Sequence, residues 1–299
     1  MNKCKGCGEI LQYTDEKKIG YAVKGSNICK RCFDLTHYNK NVELNDIIDN
    51  NKLLKSINEK NIFTIFLCDA LSLSNETIDI YNKITNDKTF VLTKVDILPK
   101  NIKYEKVIKN IKNIKNNYNI NPLIFSYKNL KLKNNLLSLI EKHKKVLITG
   151  IVSSGKSTLI NTLFNENITV SHYKNTTLDF IEINKENITI IDSPGFDTKV
   201  VTKKNKNILK QKTVTLKKGF ELNIDGTSFY SEKDINLCIF MTNSIVKTYK
   251  NKEKYKPLKV EDNIDLVFDD YFIYFKKGAI IYINSDNYNL RRSIISSYE

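Results

Sequence analysis

The stretch Gly150-Ile-Val-Ser-Ser-Gly155-Lys156-Ser157 follows the apolar run KVLITG and precedes TLINTLF. Few folds accept that order. The run reads as a buried strand, the glycines as a tight turn, and the segment after Lys156 as a helix. Backbone N–H groups of Ser153, Ser154, Gly155 and the helix's first turn, Thr158 included, would converge on one spot. The helix dipole makes that spot attractive to phosphate. Lys156 would neutralise the outer phosphate oxygens of a nucleotide, and Ser157 would coordinate Mg²⁺.

A second apolar run, NITIIDS, ends in Asp192-Ser-Pro-Gly195. Asp192 is the expected acid that holds Mg²⁺ through water, and the Gly195 N–H is expected to meet the γ-phosphate. Between the two motifs lies KNTTLDF, in which the Thr177 hydroxyl would complete the Mg²⁺ shell. Lys156 and Thr177 are thus the groups expected to stabilise a transition state. No firm catalytic residue stands beyond them.

Upstream, TFVLTKVD carries Thr93, Lys94 and Asp96 at the end of a strand-like run. The Asp96 carboxylate can accept from guanine N1–H and N2–H₂, a pair that adenine lacks. Lys94 can lay its stem along the purine. Such groups belong at the C-terminal ends of parallel strands. PLIFSYKNL then supplies Ser126 and Tyr127 at the next strand end, the place of a base loop. The order is base motif, base loop, phosphate loop and the two switch motifs, with the base elements ahead of the phosphate loop. A sheet tolerates such a rotation when the original termini are close in space.

The amino terminus holds Cys4, Cys7, Cys29 and Cys32 as two C-x2-C pairs with 21 residues between them. Four thiolates at that spacing suit a tetrahedral, structural Zn²⁺; two disulfides or four unrelated thiols are the alternatives. Cys68 and Cys238 lie inside apolar runs and read as core thiols.

Strand-like runs at 62–69, 89–94, 122–127 and 145–150 alternate with amphipathic segments at 104–118 and 130–145, which predicts a mainly parallel sheet with helices on both faces. The runs 179–184 and 187–193 are close enough for an antiparallel hairpin. After about 205 the pattern turns β-rich, with strands expected at 237–242, 265–275 and 279–285 and helix only in the last few residues. The expected domains are 1–45, a zinc-finger module; 46–205, the nucleotide domain; and 206–299, a β-rich RNA-binding domain.

The net charge is +15, and it is concentrated. Residues 101–145 hold eleven lysines against two acids, and residues 201–220 hold seven lysines and no acid. Two dense patches suggest a polyanionic partner, most simply RNA. No run is long enough to cross a bilayer and the amino terminus has no apolar signal region, so the expectation is a cytoplasmic protein without a membrane partner, or an organelle one if a transit peptide is missing. Oligomeric state is not encoded in any pattern.

In this order, the cysteine pairs, TKVD, Ser-Tyr-Lys, the phosphate loop, TTLD and DSPG resemble the circularly permuted GTPases of the YqeH type. The resemblance covers roughly residues 1–200. It implies an α/β fold: a circularly permuted P-loop GTPase domain with an N-terminal zinc-binding module and a β-rich C-terminal domain. It also implies GTP/GDP, Mg²⁺ and Zn²⁺ as ligands, slow GTP hydrolysis, and ribosomal RNA of a small ribosomal subunit precursor as partner. A non-catalytic nucleotide-binding RNA scaffold is the alternative. Thr93 stands where the family's Asn would reach guanine N7, and Tyr127 replaces a small Ala. Ser153 replaces an Asn that helps bind an activating K⁺ in related GTPases, which leaves K⁺ open. Phe196 follows DSPG where Ras-like enzymes place a water-orienting Gln.

Overall fold

Pairing order, more than strand content, decides where the phosphate loop lies in this chain. The computed structural model describes residues 2–37, 49–112, 114, 120–126, 129–164, 179–199, 207–242, 246–250 and 255–296. The chain forms two compact units. The first comprises Met1–Asp69, Asp79–Lys94 and Leu123–Thr198; the second comprises Ala70–Ile78, Val95–Pro122 and Lys199–Glu299.

In chain order the elements run from helices α1 (Lys30–His37) and α2 (Asn50–Lys60) to β1 (Thr64–Asp69), α3 (Asn75–Lys83) and β2 (Lys88–Thr93). A 3-10 turn, Val95–Ile97, leads to α4 (Tyr104–Lys112), β3 (Leu123–Ile124), α5 (Leu130–His143), β4 (Lys145–Gly150) and α6 (Lys156–Phe164). The strands β5 (Ile181–Lys185) and β6 (Ile188–Asp192) follow. The first sheet is ordered β3-β2-β1-β4-β6-β5. All its pairs are parallel except β5 with β6, the expected hairpin. Val91, Ile65, Val146, Ile148 and Ile190 from the sheet pack with Leu136, Ile140, Leu159 and Ile160 from α5 and α6. Helix α5 starts where Asn129 accepts from the Leu132 N–H at 3.2 Å, an N-cap.

The second unit holds two five-stranded antiparallel sheets. One is ordered β16-β13-β14-β10-β7, the other β11-β8-β9-β15-β12. Their strands are β7 (Lys210–Leu216), β8 (Phe220–Ile224), β9 (Thr227–Tyr230), β10 (Ile235–Met241), β11 (Val246–Lys250), β12 (Lys256–Val260), β13 (Ile264–Val267), β14 (Phe272–Phe275), β15 (Ala279–Ile283) and β16 (Asn289–Arg292). Leu222, Ile224, Phe229 and Ile281 from one sheet share a core with Leu237, Ile239, Leu266 and Ile273 from the other. Both sheets thus turn an apolar face to one interior.

Several sequence expectations change. The run 265–275 is two strands, because Phe268 to Tyr271 close a tight turn through the Phe268 N–H and Tyr271 carbonyl. Near the carboxyl end, Asn289–Arg292 form β16 against β13, residues 293–296 are not helical, and 297–299 of the expected helix lie outside the described residues. Helix α4 ends at Lys112, and residues 113 and 115–118 of the expected helix lie outside the described ones. Cys68 is buried, but Cys238 is partly exposed. Within the basic run 201–220, residues 210–216 form the edge strand β7, with Lys210 and Lys212 exposed.

The outer side of the β16-β13-β14-β10-β7 sheet carries a buried ion pair. Arg291 Nε lies 3.2 Å from Asp265 Oδ2, and both side chains are fully buried. Arg291 Nη1 donates to the carbonyl oxygens of Ala70 and Leu73, at 2.5 and 3.1 Å. Its guanidinium sits over the Phe272 ring, which stacks on Phe240. On α4, the buried Asn110 donates to the carbonyls of Ile294 and Ser296, each at 2.9 Å.

Candidate nucleotide and metal sites

In the first unit, parallel pairing brings the C-terminal ends of four strands to one edge. Asp69 is opposite Thr93, Leu67 is opposite Gly150, and Ile148 is opposite Asp192. The phosphate loop leaves β4 at Gly150, where φ is +144° and a Cβ would lie 2.0 Å from the Leu67 carbonyl oxygen. No other residue fits there. Ser153 and Gly155 also take positive φ, 63° and 94°, which turns the loop before α6 begins at Lys156. Ser154 is buried, and Ser157 and Thr158 are half-buried on the first turn of α6.

Lys156 is 9% exposed, and its ammonium donates to the Ile151 carbonyl at 3.4 Å. Burial pushes its pKa down to about 8, against the opposing pull of the Asp192 charge. Asp192 is fully buried. A Cβ on Gly195 would lie 2.8 Å from Lys156 Nζ and 2.9 Å from Val152 Cα, so only glycine allows this approach. Phe196 then pairs with the loop: its N–H donates to the Gly150 carbonyl, and its carbonyl accepts from the Val152 N–H. Its ring is buried beside Phe66.

Thr93 is 4% exposed, and its hydroxyl donates to the Ser154 carbonyl at 2.6 Å. This bond braces β2 against the phosphate loop. Lys94 takes φ +54°, and its ammonium lies 3.8 Å from the buried Asp69. Sequence reasoning missed Asp69. The signal was an acid ending the apolar run IFLCD, on the strand beside TKVD. Ser126 is buried in the turn after β3, where its carbonyl accepts from the Asn129 N–H. Asp96 belongs to the second unit, on the turn Val95–Ile97, where its charge and burial raise the Tyr104 pKa, burial contributing most. Tyr127 and Thr177 lie outside the described residues.

The four N-terminal cysteines are buried and converge, with their sulfurs all within 4.8 Å of one another. Cys7 and Cys29 Sγ are 3.8 Å apart. Sulfurs bound at about 2.3 Å to a tetrahedral zinc lie roughly 3.8 Å from one another, so the donor set fits that ion. Hydrogen bonds among the thiols lower the Cys29 pKa to about 7 and also lower that of Cys4, while they hold the protons of Cys7 and Cys32. Around the cluster, the Cys4 sulfur accepts from the Gly6 and Cys29 N–H groups. The knuckle is joined to the sheet: the Asp179 N–H donates to the Cys7 carbonyl, and Lys3 pairs with the Asp179 carboxylate. Gly8 packs so close to the Asp179 carbonyl that a Cβ would lie 2.8 Å from it.

Parallel strands that end in a glycine loop on a helix N-terminus, a buried lysine against DSPG, and a base motif ahead of that loop define a circularly permuted P-loop GTPase, an enzyme that hydrolyses GTP to GDP and phosphate. The RsgA GTPase family matches residues 77–201, a single span running from the base motif through the phosphate loop, and the family described as 50S ribosome-binding GTPase matches residues 145–269. The chain is of the YqeH type, with a four-cysteine module before the GTPase domain and a strand-rich region after it. It is 29% identical over 255 residues to the Bacillus subtilis (strain 168) protein named Uncharacterized protein YqeH, covering 76% of this chain and 69% of that one. It is 30% identical to GTPase Der of Mycoplasma mycoides subsp. mycoides SC over 52% of this chain and 38% of that protein. It is also 30% identical to the tRNA modification GTPase MnmE of Blochmanniella floridana, over 43% and 27%. No helix among the described residues is long and apolar enough to cross a membrane.

Proposed function

We propose that this GTPase is a slow, nucleotide-gated switch that binds ribosomal RNA during assembly of the small ribosomal subunit. The observation that carries the reading is the approach of Gly195 to Lys156, 2.8 Å from a built Cβ to the ammonium. The group that neutralises phosphate and the backbone of DSPG answer to the same ligand, and the chain runs from there toward the basic segment and the β-rich unit.

In this reading Lys156 and the N–H groups of residues 153–158 hold the phosphates. Ser157, Asp192 and Thr177 would hold Mg²⁺, which neutralises developing charge on the phosphates. Asp96 reads guanine, Lys94 covers its face, and Ser126 and Tyr127 close the base loop. Cys4, Cys7, Cys29 and Cys32 would hold a structural Zn²⁺ that supplies folding energy rather than chemistry. The buried Phe196 ring cannot orient water, which supports slow intrinsic turnover. Exposed lysines at 210, 212, 217 and 218 support an RNA partner.

The test is affinity for ribosomal RNA and for isolated subunits with a GTP analogue, with GDP and without nucleotide. Tighter binding in one nucleotide state is expected, and equal affinity in all three sinks the switch. Co-sedimentation with each subunit decides the partner. Exclusive capture by the large subunit would overturn the small-subunit assignment.

A further inference from the structure

The β11-β8-β9-β15-β12 sheet has an outer face that the shared core does not use. Pairing register places one row of side chains across its five strands. Tyr249 on β11 is opposite Glu221 on β8, Glu221 is opposite Tyr230 on β9, Tyr230 is opposite Tyr282 on β15, and Tyr282 is opposite Pro257 on β12. Their neighbours along each strand, Leu222 and Ile281 among them, point the other way into the core. The row is therefore on the outer surface. Tyr249 is 48% exposed, and Ile280, two residues before Tyr282 on the same side, is 57% exposed. The Tyr230 and Tyr282 ring centroids are 5.7 Å apart.

The row is fixed in place before any ligand arrives. Glu221 accepts from the Ser228 hydroxyl and from the Tyr255 hydroxyl, so its carboxylate is engaged at the foot of the row. The Tyr282 hydroxyl donates to Glu232 at 3.0 Å, which orients that ring. Charge around the row is mainly positive on the β11 side. Lys247 shares the outer face with Tyr249, and Lys250 lies opposite Phe220, next to the turn that holds Lys217 and Lys218. On the other side lies a groove of about 970 Å³ in which Lys233, Lys259, Lys276 and Lys277 face Glu232, Asp234, Glu261 and Asp262. Two of those acids already accept backbone N–H groups: Asp234 from Lys218 and Asp262 from Gly278.

We infer that this tyrosine row is a base-stacking platform for single-stranded RNA, with the lysines at its β11 end holding the phosphates. Every base has a π-face, so aromatic rings on an open sheet bind single strands with little sequence preference. Rings set out across neighbouring strands accommodate about two or three bases. A duplex hides its base faces and gains nothing from the tyrosines. A protein partner would be indifferent to added RNA. The inference rests on the RNA-binding reading above and names its surface.

The test uses the full chain and a short uridine-rich RNA, single-stranded or annealed to its complement, with heparin as a polyanion without bases. Tyr230→Ala and Tyr249→Ala are each expected to weaken single-strand binding about 5- to 100-fold. Heparin binding should not change, and Tyr→Phe at either position should retain affinity. Circular dichroism checks that the variants keep their strands. A measurement that needs no variant is ultraviolet crosslinking of a 5-bromouridine oligonucleotide, expected to label peptides from β9, β11 or β15. Wild-type affinity in both alanine variants, or crosslinks confined to other strands, overturns the platform while leaving RNA binding intact. If the full chain binds no RNA in any nucleotide state, the RNA reading falls and the platform with it.

Discussion

Lys156 shows most directly how burial shapes the chemistry of single residues here. Its pKa is pushed down to about 8 by burial, with Asp192 opposing. Between pH 8 and its ordinary value near 10.5, the unfolded chain holds this proton and the folded chain does not, so the ligand-free protein gains stability from this group as pH rises through that window. Bound phosphate favours the charged ammonium. Nucleotide binding is therefore expected to take up roughly half a proton at pH 8 and almost none at pH 6. Calorimetry in two buffers of different ionisation enthalpy reads this, and equal heats at pH 8 would contradict it. Thr93 offers a second check. Thr93→Val removes the donor to the Ser154 carbonyl and is expected to cost about 1 kcal/mol of stability, with weaker GDP binding. Urea unfolding and nucleotide titration measure the two effects. Gly195→Ala is expected to displace the Lys156 ammonium and weaken GTP-analogue binding far more than GDP binding. The identities of these residues could be read from motif spacing. The target of the Thr93 hydroxyl could not, because a hydroxyl bonds to whatever carbonyl the neighbouring strand delivers.

At the scale of elements, long apolar runs were legible and interrupted ones were not. The strands β1, β2, β4 and β6 appear as continuous apolar segments because both faces of a parallel sheet are covered. Strand β7 hides among lysines because, at a sheet edge, only Val214 and Leu216 need burial. The buried Asn110 on α4 is explained only by tertiary structure, through its two bonds to the carbonyls of Ile294 and Ser296. The pair Arg291 and Asp265 is likewise invisible without tertiary structure, since its partners are 26 and about 220 positions away. Arg291→Leu leaves Asp265 buried and uncompensated, and is expected to cost about 3–5 kcal/mol. Adding Asp265→Leu is expected to restore part of that loss. Guanidinium unfolding of both single variants and the double variant closes the cycle, and strict additivity would mean that the pair does not interact.

For the whole molecule, the cysteine knuckle is a structural member as well as an appendage. Its Cys7 carbonyl and Lys3 grip Asp179, immediately ahead of the hairpin β5–β6. Chelation is expected to release one zinc per chain, lower the melting temperature and expose the β5 end to hydrogen exchange. Unchanged exchange at residues 179–185 after metal loss would show the knuckle to be independent of the sheet. The rotated order of the sheet also has a consequence for how the protein is made. Ribosomes deliver β1, β2 and β3 first, and these three strands already pair as one half of the sheet. During that interval β1 is an open edge with a fully buried sequence, awaiting β4 from the next stretch of chain. The phosphate loop gains its turn at Gly150 only when β4 docks on Leu67. A nascent chain stalled before residue 145 therefore carries β1 to β3 but no phosphate loop, and so no nucleotide to protect it. A newborn copy depends on quick elongation, or on a chaperone at that edge, until the second half arrives.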